Sequence, residues 1–459
     1  MRSSTLNVLA VLALAPGVAH AQQSPNKGNS RNVKLVAHVP LGGWLRTADV
    51  EIEQELSRPY AYVSKSAVVT FSLQDQKFDT GIDIISLKDP TRAKVLYSWH
   101  MPEPELHRGL GSVAPAYLKS RGRYYFANGF QFAQGGPDAQ LGAIVWDVTG
   151  LPDSSAVRIV ARIDGIPGGF HETYAYKHST GPALLFGTSL RGATYVYDID
   201  KVVAAGTEGA TGLVTRIPIP EGTKAPAEVP GFDGYHDFYV GYEPASHQDR
   251  FYGAGAQGYY VYDITALSAP KLLTSITGVA GVPFGHTFAP DPTGRYAVGE
   301  TEYQHAPLRI FDLKPGLDGQ VKTISRPIGA WTADWKHLAH NHEMRWPYVF
   351  VAALEDGMYV VNLMDPTNPY TVGYYDTYDG PDGKASAGVL GSVFNGAWGV
   401  DVRNADGLIV ISDFTTGFWA FKLDGFDGWN GHQWGVPNIS SAQDWDNGPE
   451  GAPKQPKTT

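Results

Sequence analysis

One short apolar run recurs seven times, and that recurrence limits the fold more tightly than any other feature of the chain. It reads GIDIISL at 81–87, AIVWDV at 143–148, ATYVYDI at 193–199, YYVYDI at 259–264, LRIFDL at 308–313, GMYVVNL at 357–363 and GFWAFKL at 417–423. Each copy is rich in β-branched and aromatic residues and too short for a helix, so each reads as a strand. Around the fourth copy, residues 234–278 divide into four such runs, 238–241, 250–254, 259–264 and 271–276, separated by Gly, Pro, Ser and Asp. Four strands in so short a stretch make one up-and-down sheet, and a lone sheet cannot bury both faces, so it requires siblings stacked against it. Dividing 33–423 by seven gives roughly 56 residues per unit, the length of a four-stranded blade with loop insertions. The spacing predicts an all-β, seven-bladed β-propeller.

The ends of the repeat fit together. NVKLVAHVP, at 32–40, matches the fourth run of the central unit, APKLLTSITG, yet stands before any first strand; the last unit stops at its third strand near Leu423. The N-terminal strand is therefore expected to close the ring by completing the last blade. Ahead of it, residues 1–21 carry Arg2, an apolar stretch from Leu6 to Ala15 and an Ala19-His20-Ala21 ending, the pattern of a secretory signal peptide. Residues 22–32 are polar and Gly/Ser/Asn-rich and read as a flexible leader. Residues 424–459 lack strand grammar and read as an irregular tail, with Trp429, Trp434 and Trp445 available to pack on the ring.

Composition narrows the function classes. No stretch approaches the length of a membrane span, so the expectation is an exported protein, periplasmic or secreted, without a membrane span. The absence of cysteine excludes disulfides, thiolate ligands and cysteine nucleophiles. A net charge of -10 without basic runs argues against nucleic acid as a partner. No Gly-x-Ser-x-Gly, His-Glu-x-x-His or phosphate-loop motif occurs.

In the sixth unit the third strand passes to the fourth through GMYVVNLMDPTNPYTVGYYDT, and the first unit repeats the pattern as GIDIISLKDPTRAKVLYSW. In this strand, Asp-Pro, Asn-Pro, strand grammar the chain resembles the LVIVD-repeat propeller family. More distantly it is similar to selenium-binding proteins of the methanethiol oxidase type, whose cysteines it lacks. The resemblance implies an exported propeller and leaves the chemistry open, since a widespread fold does not fix function.

Chemistry enters where the first strands begin. GGFHETYAY supplies His171, DGYHDFYVG His236, PFGHTFAP His286, and LAHNHEMRW both His340 and His342. Histidine numbers only 14 in the chain, so its return at one register in four consecutive units is a signal rather than background. First strands are innermost in a propeller, which aims these imidazoles at one spot at the mouth of the central channel; which of His340 and His342 faces it is left open. Converging imidazoles suit a divalent transition metal such as zinc, copper or iron. The adjacent Glu172, Asp237 and Glu343 are expected, from strand alternation, to point between blades and orient a neighbour's imidazole. The second-to-third loops fall at the same mouth and contribute Gln131, Ser189, Arg191, Gln257, Glu300 and Asp413 beside Glu302, His305 and Glu355, the last three being candidate acid/base groups. Two readings follow: a metal-dependent oxidase or hydrolase, or a non-catalytic scaffold whose histidines merely hydrogen-bond the backbone and whose acidic face holds a small molecule or protein.

Overall fold

The computed structural model describes residues 28–42, 46–66, 80–103, 111–131, 140–207, 211–227, 230–378, 395–431 and 444–449. The signal-peptide segment and Trp434 lie outside these residues.

Seven antiparallel sheets form, one per repeat. Their first strands are Arg46–Ile52, Gly111–Ser120, Glu172–Lys177, Tyr235–Glu243, Phe288–Pro290, Asn341–Arg345 and Ala397–Arg403. Each packs against the first strand of the next blade, and the last against the first, so the seven close a ring about a central channel. The fold is a seven-bladed β-propeller. Third strands such as Ala143–Asp147 are buried throughout, because neighbouring blades cover both of their faces. That is why the third strand is the loudest repeat in the sequence: burial on both faces demands a continuous apolar run.

The polar residue closing each run has its own task. Asp147 accepts from the backbone N–H of Thr149 at 3.0 Å, Asp263 from Thr265 at 2.9 Å, Asp312 from Lys314 at 3.1 Å and Asn362 from Met364 at 2.7 Å. Each side chain thus completes an Asx turn that starts the passage to the outer strand. In blade 3 the same device caps a helix, Asp198 accepting from Asp200 and Lys201 at the start of Ile199–Ala205.

The ring closes as its ends suggest. Val33–Val39 pairs antiparallel with Gly417–Leu423, from Val33 opposite Leu423 to Val39 opposite Phe418. The end of the leader is tied down as well: Ser30 bonds the carbonyl of Tyr374 and Asn32 that of Val372, both on the outer strand of blade 6. In the tail, Trp429 donates to the carbonyl of Trp346 at 2.9 Å, and Trp445 meets Tyr117 edge-on. One element escaped the sequence reading: Thr323–Ile324 adds to blade 4 as a fifth strand, parallel to Lys271–Thr277.

Candidate metal centre

Every first strand carries one extra residue where it leaves the mouth of the channel. His236 and Asp237 together oppose Ala254, and Ala48 and Asp49 oppose Ser64. Val113 and Ala114 oppose Gly129, while Trp398 is the added residue in blade 7. In blade 3, His171 and Glu172 both face Thr188; in blade 5, His286 and Thr287 both bond Glu300; in blade 6, His340 and Asn341 both face Ala352. A bulge of this kind re-aims the side chains around it. The first residue of each pair turns into the mouth and the second into the channel below.

The mouth therefore holds an arc of imidazoles. Ring centroids run 4.0 Å from His171 to His236, 4.2 Å to His286, 4.6 Å to His340 and 3.8 Å on to Trp398. His340, not His342, belongs to this arc. The approach needs glycine: Gly169 has φ 72°, and a Cβ there would stand 1.9 Å from the carbonyl oxygen of Phe130. Gly285 is crowded as well, its Cβ position 2.5 Å from the carbonyl oxygen of Gly258.

Glu302 reaches over the arc. Its Oε2 stands 3.8 Å from Nε2 of His236 and 3.8 Å from Nε2 of His286, and its Oε1 3.4 Å from Nε2 of His340. These separations are too long for good hydrogen bonds. They match the spacing of two ligand atoms on a tetrahedral ion, roughly 3.4 Å for bonds of about 2.1 Å. The donor atoms of His236, His286 and Glu302 all lie within 4.8 Å of one another, close enough to share one ion.

The far side of an imidazole decides its tautomer where a partner stands there; His236 Nδ1 has none among the described residues. His340 Nδ1 sits 2.9 Å from the carbonyl oxygen of Trp398, which only accepts, so Nδ1 carries the proton and Nε2 keeps its lone pair. His286 Nδ1 contacts Thr287 Oγ1 at 3.0 Å and Glu300 Oε1 at 3.6 Å, and its Nε2 is buried without a protein partner. His171 Nδ1 hydrogen-bonds Gln131 Oε1. Burial holds His236 and His286 well below the usual histidine range and takes His171 down to about 3. Neighbouring imidazoles push the same way, so these rings are neutral at physiological pH and ready to ligate. Burial also drives Glu300 well above the carboxylate range, with Glu302 adding to it.

The remaining candidates lie elsewhere. His342 is buried one step along the strand, Nδ1 3.4 Å from Glu300 Oε2, and burial lowers it to about 4. His305 is exposed, packed edge-on against Trp335. Glu355 accepts from Asn395 at 3.1 Å and stands 3.5 Å from His337 Nε2. His337 in turn contacts Asp356 at 2.7 Å, and this hydrogen bond raises it to about 9. Asp334, His337 and Asp356 form a second compact trio, which a protonated His337 accounts for as an ion pair.

Glu172, Asp237 and Glu343 do not point between blades, as strand alternation implied. They line the channel beneath the arc, because the bulge breaks the alternation just where it was assumed. Asp237 alone keeps a link to a neighbour's ring, through Thr287, whose hydroxyl lies 2.9 Å from Asp237 Oδ2 and 3.0 Å from His286 Nδ1. The sequence marks Glu302 as a loop residue and a candidate acid/base group; its reach across three blades is a tertiary fact.

No protein-family model matches the chain, and no curated protein does. Among solved structures it is similar to the WD40 β-propeller domain of Doa1, with TM-score 0.50 and 10% identity over 86% of this chain and 98% of that one. Likeness at such low identity carries the fold and nothing of the function.

Proposed function

We propose that the chain is an exported, metal-dependent enzyme whose ion is held at the channel mouth by Nε2 of His236, His286 and His340 and by the Glu302 carboxylate. The observation that carries this reading is the gap geometry: the Glu302 carboxylate stands 3.4 to 3.8 Å from three imidazole nitrogens, too far for good hydrogen bonds, and the donor atoms of His236, His286 and Glu302 lie close enough to share one ion, with His340 beside them. Three imidazoles and one carboxylate suit zinc, copper or iron. With these four donors a water would be a fifth ligand, and the ion would bring that water towards a pKa of about 7 or, if redox-active, supply oxygen chemistry, the routes of a hydrolase and an oxidase.

The protein's own groups have separable roles in this reading. Glu302 moves from acid/base candidate to ligand. The Thr287 hydroxyl and the Trp398 carbonyl fix the rings of His286 and His340. His171, bonded to Gln131 and packed on His236, borders the site and would offer a neutral imidazole to a molecule bound there. His305 and Glu355 take no part. The signal-like segment at 1–21 supports export, and the LVIVD-like repeat grammar fits the same placement.

The test is elemental analysis of the protein purified from the periplasm, beside His236→Ala/His286→Ala and Glu302→Gln. Near-stoichiometric metal in the wild type, lost from the double variant with circular dichroism unchanged, is the expected result. A wild type that stays metal-free after reconstitution with zinc, copper, iron and manganese ends the proposal and leaves a scaffold with structural histidines.

A further inference from the structure

Below the imidazole arc the channel is acidic. Asp49 and Glu51 of blade 1, Glu172 of blade 3, Asp237 of blade 4, Glu343 of blade 6 and Asp401 of blade 7 line one cavity of about 60 Å³. Arg345, fully buried, answers two of them: its guanidinium lies 2.6 Å from Glu343 and 3.4 Å from Asp401. Among the described residues the other four make no ion pair, and their recorded hydrogen bonds are few. Asp49 accepts from Val50 N–H, Glu172 from Thr173 N–H, and Asp237 from Phe238 N–H and Thr287. Burial and mutual repulsion raise Asp49 to about 8 and push Glu51 well above the carboxylate range. So many carboxylates in one dense site are costly unless something positive joins them.

His342 supplies an independent sign of a missing occupant. It is 3% exposed, lines this same cavity, and its Nε2 has no hydrogen-bond partner in the protein. A buried imidazole nitrogen left without a partner forfeits a hydrogen bond that water or a ligand in the cavity would restore.

We propose that the channel below the arc binds a hydrated divalent cation of the calcium, magnesium or manganese type, held chiefly by Asp49, Glu51, Glu172 and Asp237. The donors are oxygen-rich, the preference of hard cations, and thus differ in kind from the imidazoles above. The channel carboxylates are not drawn into a compact trio as His236, His286 and Glu302 are, so the ion keeps part of its water shell. The cavity has room for an ion with a few waters.

Calcium separates this site from the one at the mouth, because imidazole is a poor ligand for it. Chelator-stripped wild type is titrated with calcium, magnesium and manganese at pH 7.5 by calorimetry, with thermal melts in parallel. Beside it stands Asp49→Asn/Glu51→Gln, altered only on a blade that gives no imidazole to the arc. One saturable site and a rising melting temperature are expected for the wild type. The double variant is expected to bind the same ion at least tenfold more weakly while keeping its zinc-type metal content. Should the double variant not fold, Glu172→Gln is read by the same criterion. A wild type that binds none of the three ions, or a variant that binds them equally well, overturns the proposal; a higher melting temperature for the ion-free variant then shows that the carboxylates share protons. Loss of metal at the mouth with calcium binding intact would sink the enzyme reading alone.

Discussion

Replacing Arg345 by Met tests how the channel wall is held together. The guanidinium is fully buried and joins blades 6 and 7: Nε donates to Asn404 at 2.6 Å, Nη1 to Glu343 at 2.6 Å and to the carbonyl of Met344 at 2.9 Å, and Nη2 to the carbonyl of Val402 at 3.0 Å. Methionine fills much of the volume and satisfies none of these groups. Removing one member of a buried ion pair costs about 3–5 kcal/mol, because the charge left behind stays desolvated. With an unfolding entropy of ~2.1 cal/mol/K per residue over a ring of roughly 400 residues, that lowers the melting temperature by about 4–6 °C. The assay is a calorimetric or circular-dichroism melt at pH 7.5 with and without calcium. The triple variant Arg345→Met, Glu343→Gln, Asp401→Asn removes the stranded charges and is expected to recover at least half of the loss. If the single variant melts within 1 °C of wild type, or the triple variant melts lower than the single, the argument from stranded charge is wrong.

Deleting residues 22–40 removes the closing strand and leaves Gly417–Leu423 as an open edge, so aggregation or loss of the cooperative melt is expected, and an unchanged melt would refute closure by Val33–Val39. Stability without added cation is expected to fall as pH rises from 6.5 to 8. Asp49 and Asp237 have folded-state pKa values raised to about 8 and about 7, so the unfolded chain has lost protons that the fold still holds, and the slope ∂ΔG/∂pH is negative there. The depressed histidines act in the other direction only below 6.5, and urea melts at pH 6.5, 7.2 and 8.0 check the sign. Gly169→Ala places a Cβ against the Phe130 carbonyl at φ 72°, a cost of about 1–3 kcal/mol. It should also reduce metal retention by shifting His171 against its neighbour His236, and equal metal content and melting would show the approach to be slack.

The ring was legible in the sequence because two properties repeat at the scale of a blade. Third strands buried on both faces must be apolar, and the Asx turn that follows them needs Asp or Asn, so the first leaves a mark in every copy and the second in five of the seven. The histidines were legible for the same reason: a register position is a spatial position once the repeat is known. What the sequence hid is the bulge. Nothing in GYHDFYV announces that His236 and Asp237 share one partner residue, yet that single irregularity turns the acidic residues from the blade interface into the channel. Glu302 and Gln131 were visible only as loop residues, the first a candidate acid/base group, since loops carry no period, and Glu355 and His305 looked equivalent to Glu302 until His337 and Trp335 drew them aside.

Joining the first strand to the last also sets a schedule for synthesis. His38 bonds the carbonyl of Thr416, a partner 378 residues later in the chain. At roughly 5–20 residues per second, the closing strand is made about 20–75 s before anything exists for it to pair with. All four imidazoles of the arc precede that moment, the last on a blade complete by Tyr375. The blades that carry the arc can therefore stack while the chain is still being made, and the last strand to arrive fastens a channel whose imidazole side is already in place.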